Sequence, residues 1–168
     1  RRPLILDASD YGHPVFDECL GTVTLGTGAL VGPSLTVDDP ASRTLGVWRA
    51  TGEPAWAVRE FGSWRSIVSP APINHPAVLR GIARLAGCHV WVDPGRILFA
   101  NRSLLAVHIA DSHEPMRIHL PRPMDVADLV AGREVARAAR HFIIQEGMRR
   151  RTTFLYRLRP SGAAEGVS

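Results

Sequence analysis

Asp7, Asp10 and His13 form the tightest grouping of chemistry-bearing side chains in the chain, just after the apolar run PLIL. Two carboxylates and an imidazole in such a loop can hold a hard cation or orient an imidazole. There is no second cluster at matching spacing, so turn-forming aspartates beside an unrelated histidine is the favoured reading, and no metal or cofactor is expected. Cys88 beside His89 has the residue types of a nucleophile and its base. Neighbours on extended backbone point to opposite faces, which argues against that use. His108 and His119 fall in alternating segments and read as structural histidines. Glycoside hydrolysis needs two carboxyl groups about 5–10 Å apart across the scissile bond. Here Asp38, Asp39, Asp93, Asp111, Glu114 and Glu146 lie in turn-like surroundings, and Glu60 closes a strand where partial burial without a partner is expected. Gly-x-Ser-x-Gly does not occur, and GTVTLGTGALVG lacks the spacing and the lysine of a phosphate loop. No catalytic residue is assigned.

Trp48, Trp56, Trp64 and Trp91 offer a different chemistry. Exposed indoles stack on sugar rings and also suit interfaces, whereas buried ones fill a core. Core packing, in the seam between the two parts of the chain, is the first expectation, an interface the second and sugar binding the third. Asn101-Arg102-Ser103 matches a glycosylation sequon, but its place in an apolar strand makes it incidental.

The chain has 168 residues, 45% of them hydrophobic, enough for one domain or two small abutting ones. No apolar run approaches the roughly 18 residues of a membrane span. All 20 basic residues are arginine, and the net charge is +4. With abundant Ala, Gly and Pro this pattern fits a bacterial coding bias as well as it fits a phosphate-binding surface. Arg149-Arg150-Arg151 is the one dense basic run, read as a hairpin turn, and no aromatics interleave it to stack bases. Neither nucleic acid nor membrane is expected as a partner. Cys19 and Cys88 match no metal spacing and read as buried free thiols of a cytoplasmic protein, one disulfide being open only if the fold joins them.

Among the elements that must position these residues, the clearest is a helix from Pro76. Asn74 or His75 can cap it and Pro76 suits its first turn. Val78, Leu79, Ile82, Leu85 and Ala86 share a face, and Gly87 suits a left-handed stop. Strands are expected at PLILDA, in CLGTVTLGTGALVG, and at LTV, TLGVWR, AWAVRE and Ser66 to Ser69, with turns at 9–12, 39–40 and 51–52. After Gly87 the period becomes extended. CHVWVD, RILFAN and SLLAVH lead into a meander turning at 94–95, 111–112, 121–123, 131–132 and 147. Within it Met116, Ile118 and Leu120 alternate with Arg117 and His119, and Phe154, Tyr156 and Leu158 with Leu155 and Arg157. Such spacing suggests a small sandwich or barrel-like unit.

GSWRSIVSPAP, LRGIARLAGCHVWVD and RILFANRSLLAVH, in that order, resemble the C-terminal part of multidomain glycoside hydrolases of the β-galactosidase type. VDDPASRTLGVWRATGEPAWAVREFG upstream and IHLPRPMDVADLVAGREV downstream extend the resemblance over about residues 32–158. It rests on packing and turn residues. It implies the end of a glutamine-amidotransferase-like, trimerisation-type α/β domain followed by a small β-domain. In that family the catalytic acids sit on a separate barrel, and the position of an amidotransferase cysteine precedes this segment. The family's α/β domain needs more residues upstream than this chain supplies, so either an excised piece or a reduced version that pairs with another copy is expected.

The expected fold class is α+β, mostly β. Residues 1–87 form a strand-turn-helix remnant of the amidotransferase-like region, 88–159 a small antiparallel β-sandwich and 160–168 a flexible tail. The expected function is structural support and assembly, through self-association or other domains of a parent hydrolase. The alternative is a carbohydrate-binding module that uses exposed tryptophans.

Overall fold

A computed structural model describes residues 2–92, 97–109, 115–145 and 152–162. The expected turns at 94–95, 111–112 and 147, the run 149–151, the acidic residues 93, 111, 114 and 146, and residues 163–168 lie outside them. The chain is mostly β, with one α-helix and two antiparallel sheets among the described residues, and divides into two compact units, Arg1–Cys88 and His89–Ser168.

The first unit holds β1 (Arg2–Ala8), β2 (Thr24–Val31), β3 (Arg43–Trp48), β4 (Pro54–Phe61) and β5 (Trp64–Val68), in the order β2-β1-β3-β4-β5. Its core gathers Leu6, Leu25, Leu45, Trp56, Val58 and Val78, all at most 4% exposed. The expected strand at LTV is absent: Val37 only donates its amide to Pro54 O (2.8 Å), and the Trp48 indole holds Leu35 O (2.8 Å). Bonds from a loop thus satisfy this backbone without a ladder.

Helix α1 (Pro76–Leu85) starts at His75, whose side chain makes no capping bond, while Asn74 Nδ2 donates to Gly26 O (3.3 Å). Neither expected cap therefore acts through its side chain. The expected apolar face is rotated. Ala77, Val78 and Gly81 are buried, Ile82 and Leu85 pack partly on the core, and Leu79 (49%) and Ala86 are exposed. Gly81 sets this rotation, because the helix seats there on the backbone of the 3-10 turn Pro14–Phe16. At the other end Gly87 (φ 73°) donates to Arg84 O and Cys88 to Ala83 O, the bond pair of a Schellman stop.

In the second unit β6 (Ile97–Ala100), β7 (Leu104–Ile109), β8 (Met116–Asp128), β9 (Arg133–Ile144) and β10 (Thr152–Pro160) run in the order β6-β7-β10-β8-β9. The expected sandwich is thus one five-stranded sheet among the described residues. Leu105, Val107, Ile118, Met124, Val126, Tyr156 and Leu158 build its core. In place of the strand expected at CHVWVD, its described residues make an isolated bridge, Val92 to Ile118, and Trp91 O accepts from the His119 amide (2.7 Å). Pro121 to Pro123 is no turn: β8 runs through it with a register shift between His119 and Met124. A second irregularity puts Ala138 at φ 44°, its amide donating to Asp125 Oδ1 (2.7 Å). Asp128, 8% exposed, accepts from the amides of Val130 and Ala131 (2.9 Å each) and so ties the turn that joins β8 to β9. Asn101 lies in the β6–β7 turn, with Oδ1 accepting from the amides of Ser103 and Leu104, so the sequon is on an exposed turn and not within a strand. Of the expected tail, Pro160 ends β10 and the Ser161 amide donates to Pro123 O (3.2 Å).

Candidate functional site

The N-terminal polar cluster is built from β1 and the loop that follows. Asp7 takes a two-pronged bond from Arg49, Nε to Oδ2 at 2.8 Å and Nη2 to Oδ1 at 2.6 Å, and a third from Thr24 Oγ1. The Arg49 guanidinium holds its carboxyl below the usual range. Asp10 pairs with Arg43 Nε at 2.5 Å, and that bond likewise lowers its pKa. His13 is buried, with Nδ1 accepting from the Val15 amide (3.2 Å), so it caps the 3-10 turn. Burial pushes its pKa down, and its proton, when neutral, sits on Nε2. Each of the three side chains is held by a different protein partner. Among the described residues no group of three or more His, Cys, Asp and Glu is placed to hold a metal ion.

The other polar candidates separate in the same way. His89 Nε2 lies 2.8 Å from His119 O, with its ring edge-on to Trp91, and Cys88 is exposed. Both cysteines are free; burial of Cys19 raises its thiol pKa, so it is the less reactive protonated form that is favoured. The two thiols are free as expected, but neither is buried: Cys19 is half-buried and Cys88 is exposed. His108 Nδ1 meets Thr153 Oγ1 (3.0 Å) across β7 and β10. Glu60, expected to be partly buried without a partner, is exposed and pairs with Arg65 (3.2 Å).

The tryptophans do not act as a set. Trp48 and Trp56 belong to the first unit's core, Trp56 meeting Phe16 edge-on at 5.1 Å. Trp91 packs partly against the core of the second unit. Trp64 alone of the four is exposed, at 58%. It lies across the β4–β5 hairpin from Phe61, the rings parallel (8°) with centroids 4.1 Å apart, and Arg59 sits 4.8 Å over the Phe61 ring. Gly62 (φ 70°) fills the first position of the two-residue loop, where a hairpin needs a left-handed residue. On this face Ala57, Arg59 and Phe61 of β4 stand opposite Val68, Ser66 and Trp64 of β5. Val37, Ala57, Phe61 and Val68 line a shallow groove of about 220 Å³, and Arg59 pairs with Asp39 at its polar side. Sequence reasoning singled out Trp64 but missed Phe61, Ser66 and Val68. The signal was there: REFGSWRS has aromatics flanking a Gly-Ser loop, which makes them a cross-strand pair.

A second depression, of about 450 Å³ in the second unit, is lined by Asp125, Asp128, Glu134, Arg133, Arg137 and Arg157 among others. Arg137 is paired with Glu134 there (2.5 Å). Charges of both signs line it, so it presents no uniform field to a ligand.

No family model, curated protein or solved structure matches this chain.

Proposed function

We propose that the chain is a non-catalytic structural and assembly region of the kind that follows the catalytic barrel in β-galactosidase-like glycoside hydrolases. On this reading the first unit is the amidotransferase-like remnant and the second the terminal β-domain, working in a bacterial cytoplasm. The supporting observation is the β4–β5 hairpin. Asp7, Asp10 and His13 are each held by protein partners, while Trp64 and Val68 keep half or more of their surface in water on the last strand of a sheet. Exposed apolar side chains on a strand with an open edge suit protein contact. The partners are further copies of the chain or other domains of a parent hydrolase. Sedimentation of the pure chain over a wide concentration range, repeated with the remaining domains encoded in the same reading frame, tests this. Association that Trp64→Ala weakens is expected. A chain that stays monomeric and binds none of those domains overturns the reading.

The exposed indole also supports a second reading, carbohydrate binding, since a free aromatic face stacks on a pyranose. Titration with galactosides and polysaccharides, followed by tryptophan fluorescence, separates the two. A saturable change lost in Trp64→Ala would favour the sugar.

A further inference from the structure

Among the described residues four strands end the two sheets, and three of them are poor templates for pairing. β9 exposes Arg133, Arg137 and Arg140 and is kinked at Ala138. β2 is broken in register at Gly28 and Ala29, and β6 has four residues among those described. Charges, bulges and brevity are the devices that protect sheet edges. β5 carries none of these beyond Arg65, whose guanidinium is turned to Glu60 and to Leu85 O at the end of α1. Its pairing with β4 is regular over all five residues.

The hydrogen-bond phase of β5 follows from its hairpin. Phe61 and Trp64 close a two-residue loop, so Trp64, Ser66 and Val68 turn their backbone groups towards β4, and Arg65 and Ile67 turn theirs outwards. Neither outward amide has a partner among the described residues. Trp64 stands at one end of this strand and Val68 at the other, with Ser66 at the centre, all three on one face.

We infer that two copies of this chain pair through β5, antiparallel about a two-fold axis at Ser66, which names the partner in the assembly reading above and rests on it. Around that axis Arg65 of one copy exchanges both backbone bonds with Ile67 of the other, and the reverse, satisfying all four outward groups. The register sets each exposed Trp64 opposite the second copy's Val68, at the rim of the groove formed by Val37, Ala57, Phe61 and Val68. The projecting indole and the hollow belong to the same surface, which is what a two-fold interface requires. Ser66, small and neutral, is the one residue that must face its own copy. A five-residue strand buries less than the about 1,200 Å² typical of stable complexes, so the pair is weak and dissociates on dilution.

The test uses the full chain with Cys88→Ser, to remove the exposed thiol. In that background Ser66→Cys, oxidised mildly, should give a disulfide-linked dimer whose bridge maps to position 66 by mass spectrometry. Val68→Cys should cross-link much less, because in this register position 68 faces Trp64. In separate samples Ser66→Glu should raise the dissociation constant at least about tenfold in sedimentation, since like charges directly opposite repel. Its fold should survive, because the new carboxylate stands across from Arg59 in its own sheet. If the wild type associates but Ser66→Glu does not weaken it and Val68→Cys cross-links as readily, the edge register is wrong while the assembly reading stands. A wild type that remains monomeric at the highest attainable concentration overturns the inference, and the assembly reading then rests on binding to the parent's other domains.

Discussion

Replacing Gly81 with alanine should destabilise the first unit, although alanine is the better helix former. A Cβ built at Gly81 falls 2.8 Å from the carbonyl carbon of Val15 and 2.9 Å from its Cα, and nearer still to the carbonyl oxygen. Unstrained carbon pairs sit at about 3.5–4.0 Å, so α1 must retreat by roughly 0.7–1 Å. The obstacle is backbone and cannot swing aside. The turn is closed by Phe16 N to His13 O (2.9 Å) and by the His13 cap on Val15. Retreat would loosen Val78 and Ala77 from the core they fill. Overpacking of this kind costs about 1–3 kcal/mol, and contact with fixed backbone places it at the upper end. Against that, Gly→Ala in a helix interior gains about 1 kcal/mol. The expected net loss is about 1–2 kcal/mol. Urea unfolding followed by tryptophan fluorescence reads it, because Trp48 and Trp56 lie in the affected core. Ala83→Gly serves as the reference and should cost about 1 kcal/mol through propensity alone. If Gly81→Ala instead gains about 1 kcal/mol, the close seating of α1 on residues 14–16 is refuted.

Three further outcomes follow from the same contacts. Ala138→Gly should leave the second unit as stable or raise it by about 0.5 kcal/mol, since glycine takes φ 44° without strain; a thermal-melt loss above about 1 kcal/mol would contradict this. Glu18 is held by Arg80 (2.7 Å) and Arg84 (2.5 Å), and despite the opposing effect of burial its pKa lies below the ordinary value. Its stabilisation is present above about pH 4.3 and lost as pH falls through the lowered value, so Glu18→Gln should cost about 1 kcal/mol at neutral pH and progressively less in acid, by urea titration. His13 is also shifted down, so the stability it confers is full above about pH 6.5 and declines as pH falls through its folded pKa. In His13→Asn, which keeps an acceptor for Val15, that decline should vanish from the pH–stability profile.

The parts of the fold that were legible in the sequence are those fixed by local chemistry. The stop at Gly87 needed only a residue that tolerates φ 73°, and the alternation from Met116 to Leu120 needed only the period of a strand. What misled were features decided at a distance. The helix face turned because Gly81 meets Val15, some sixty-six positions away in the chain. LTV has strand propensity, but a bond to Pro54 and the Trp48 indole hold it as a loop. Pro121 and Pro123 read as a turn, yet a register shift lets β8 run through them. Of the candidate site, the types of Asp7, Asp10 and His13 were readable and their partners were not, because Arg43 and Arg49 arrive from β3 and just beyond it.

These pairings bear directly on what the carboxylates can do. A carboxylic acid that donates a proton near neutral pH needs its pKa raised, by burial or by a like charge. Asp7, Asp10, Glu18 and Asp39 are all shifted the other way, each with arginine bonds among the causes. Every one of these bonds joins elements distant in the chain. Arg49 ties the end of β3 to Asp7 of β1, Arg80 and Arg84 tie α1 to Glu18, and Arg59 ties β4 to the loop at Asp39. A guanidinium fork fixes both distance and angle, which a lysine would not. The chain's exclusive use of arginine therefore matters to its architecture whatever its origin in coding bias. In the first unit it turns residues of catalytic type into fasteners, and the exposed apolar side chains on β5 become the surface with unsatisfied contacts. Replacing Ser66 with cysteine interrogates that surface without disturbing any of these fasteners, because the Ser66 side chain takes part in none of the ion pairs described above and cysteine adds no charge beside Arg59.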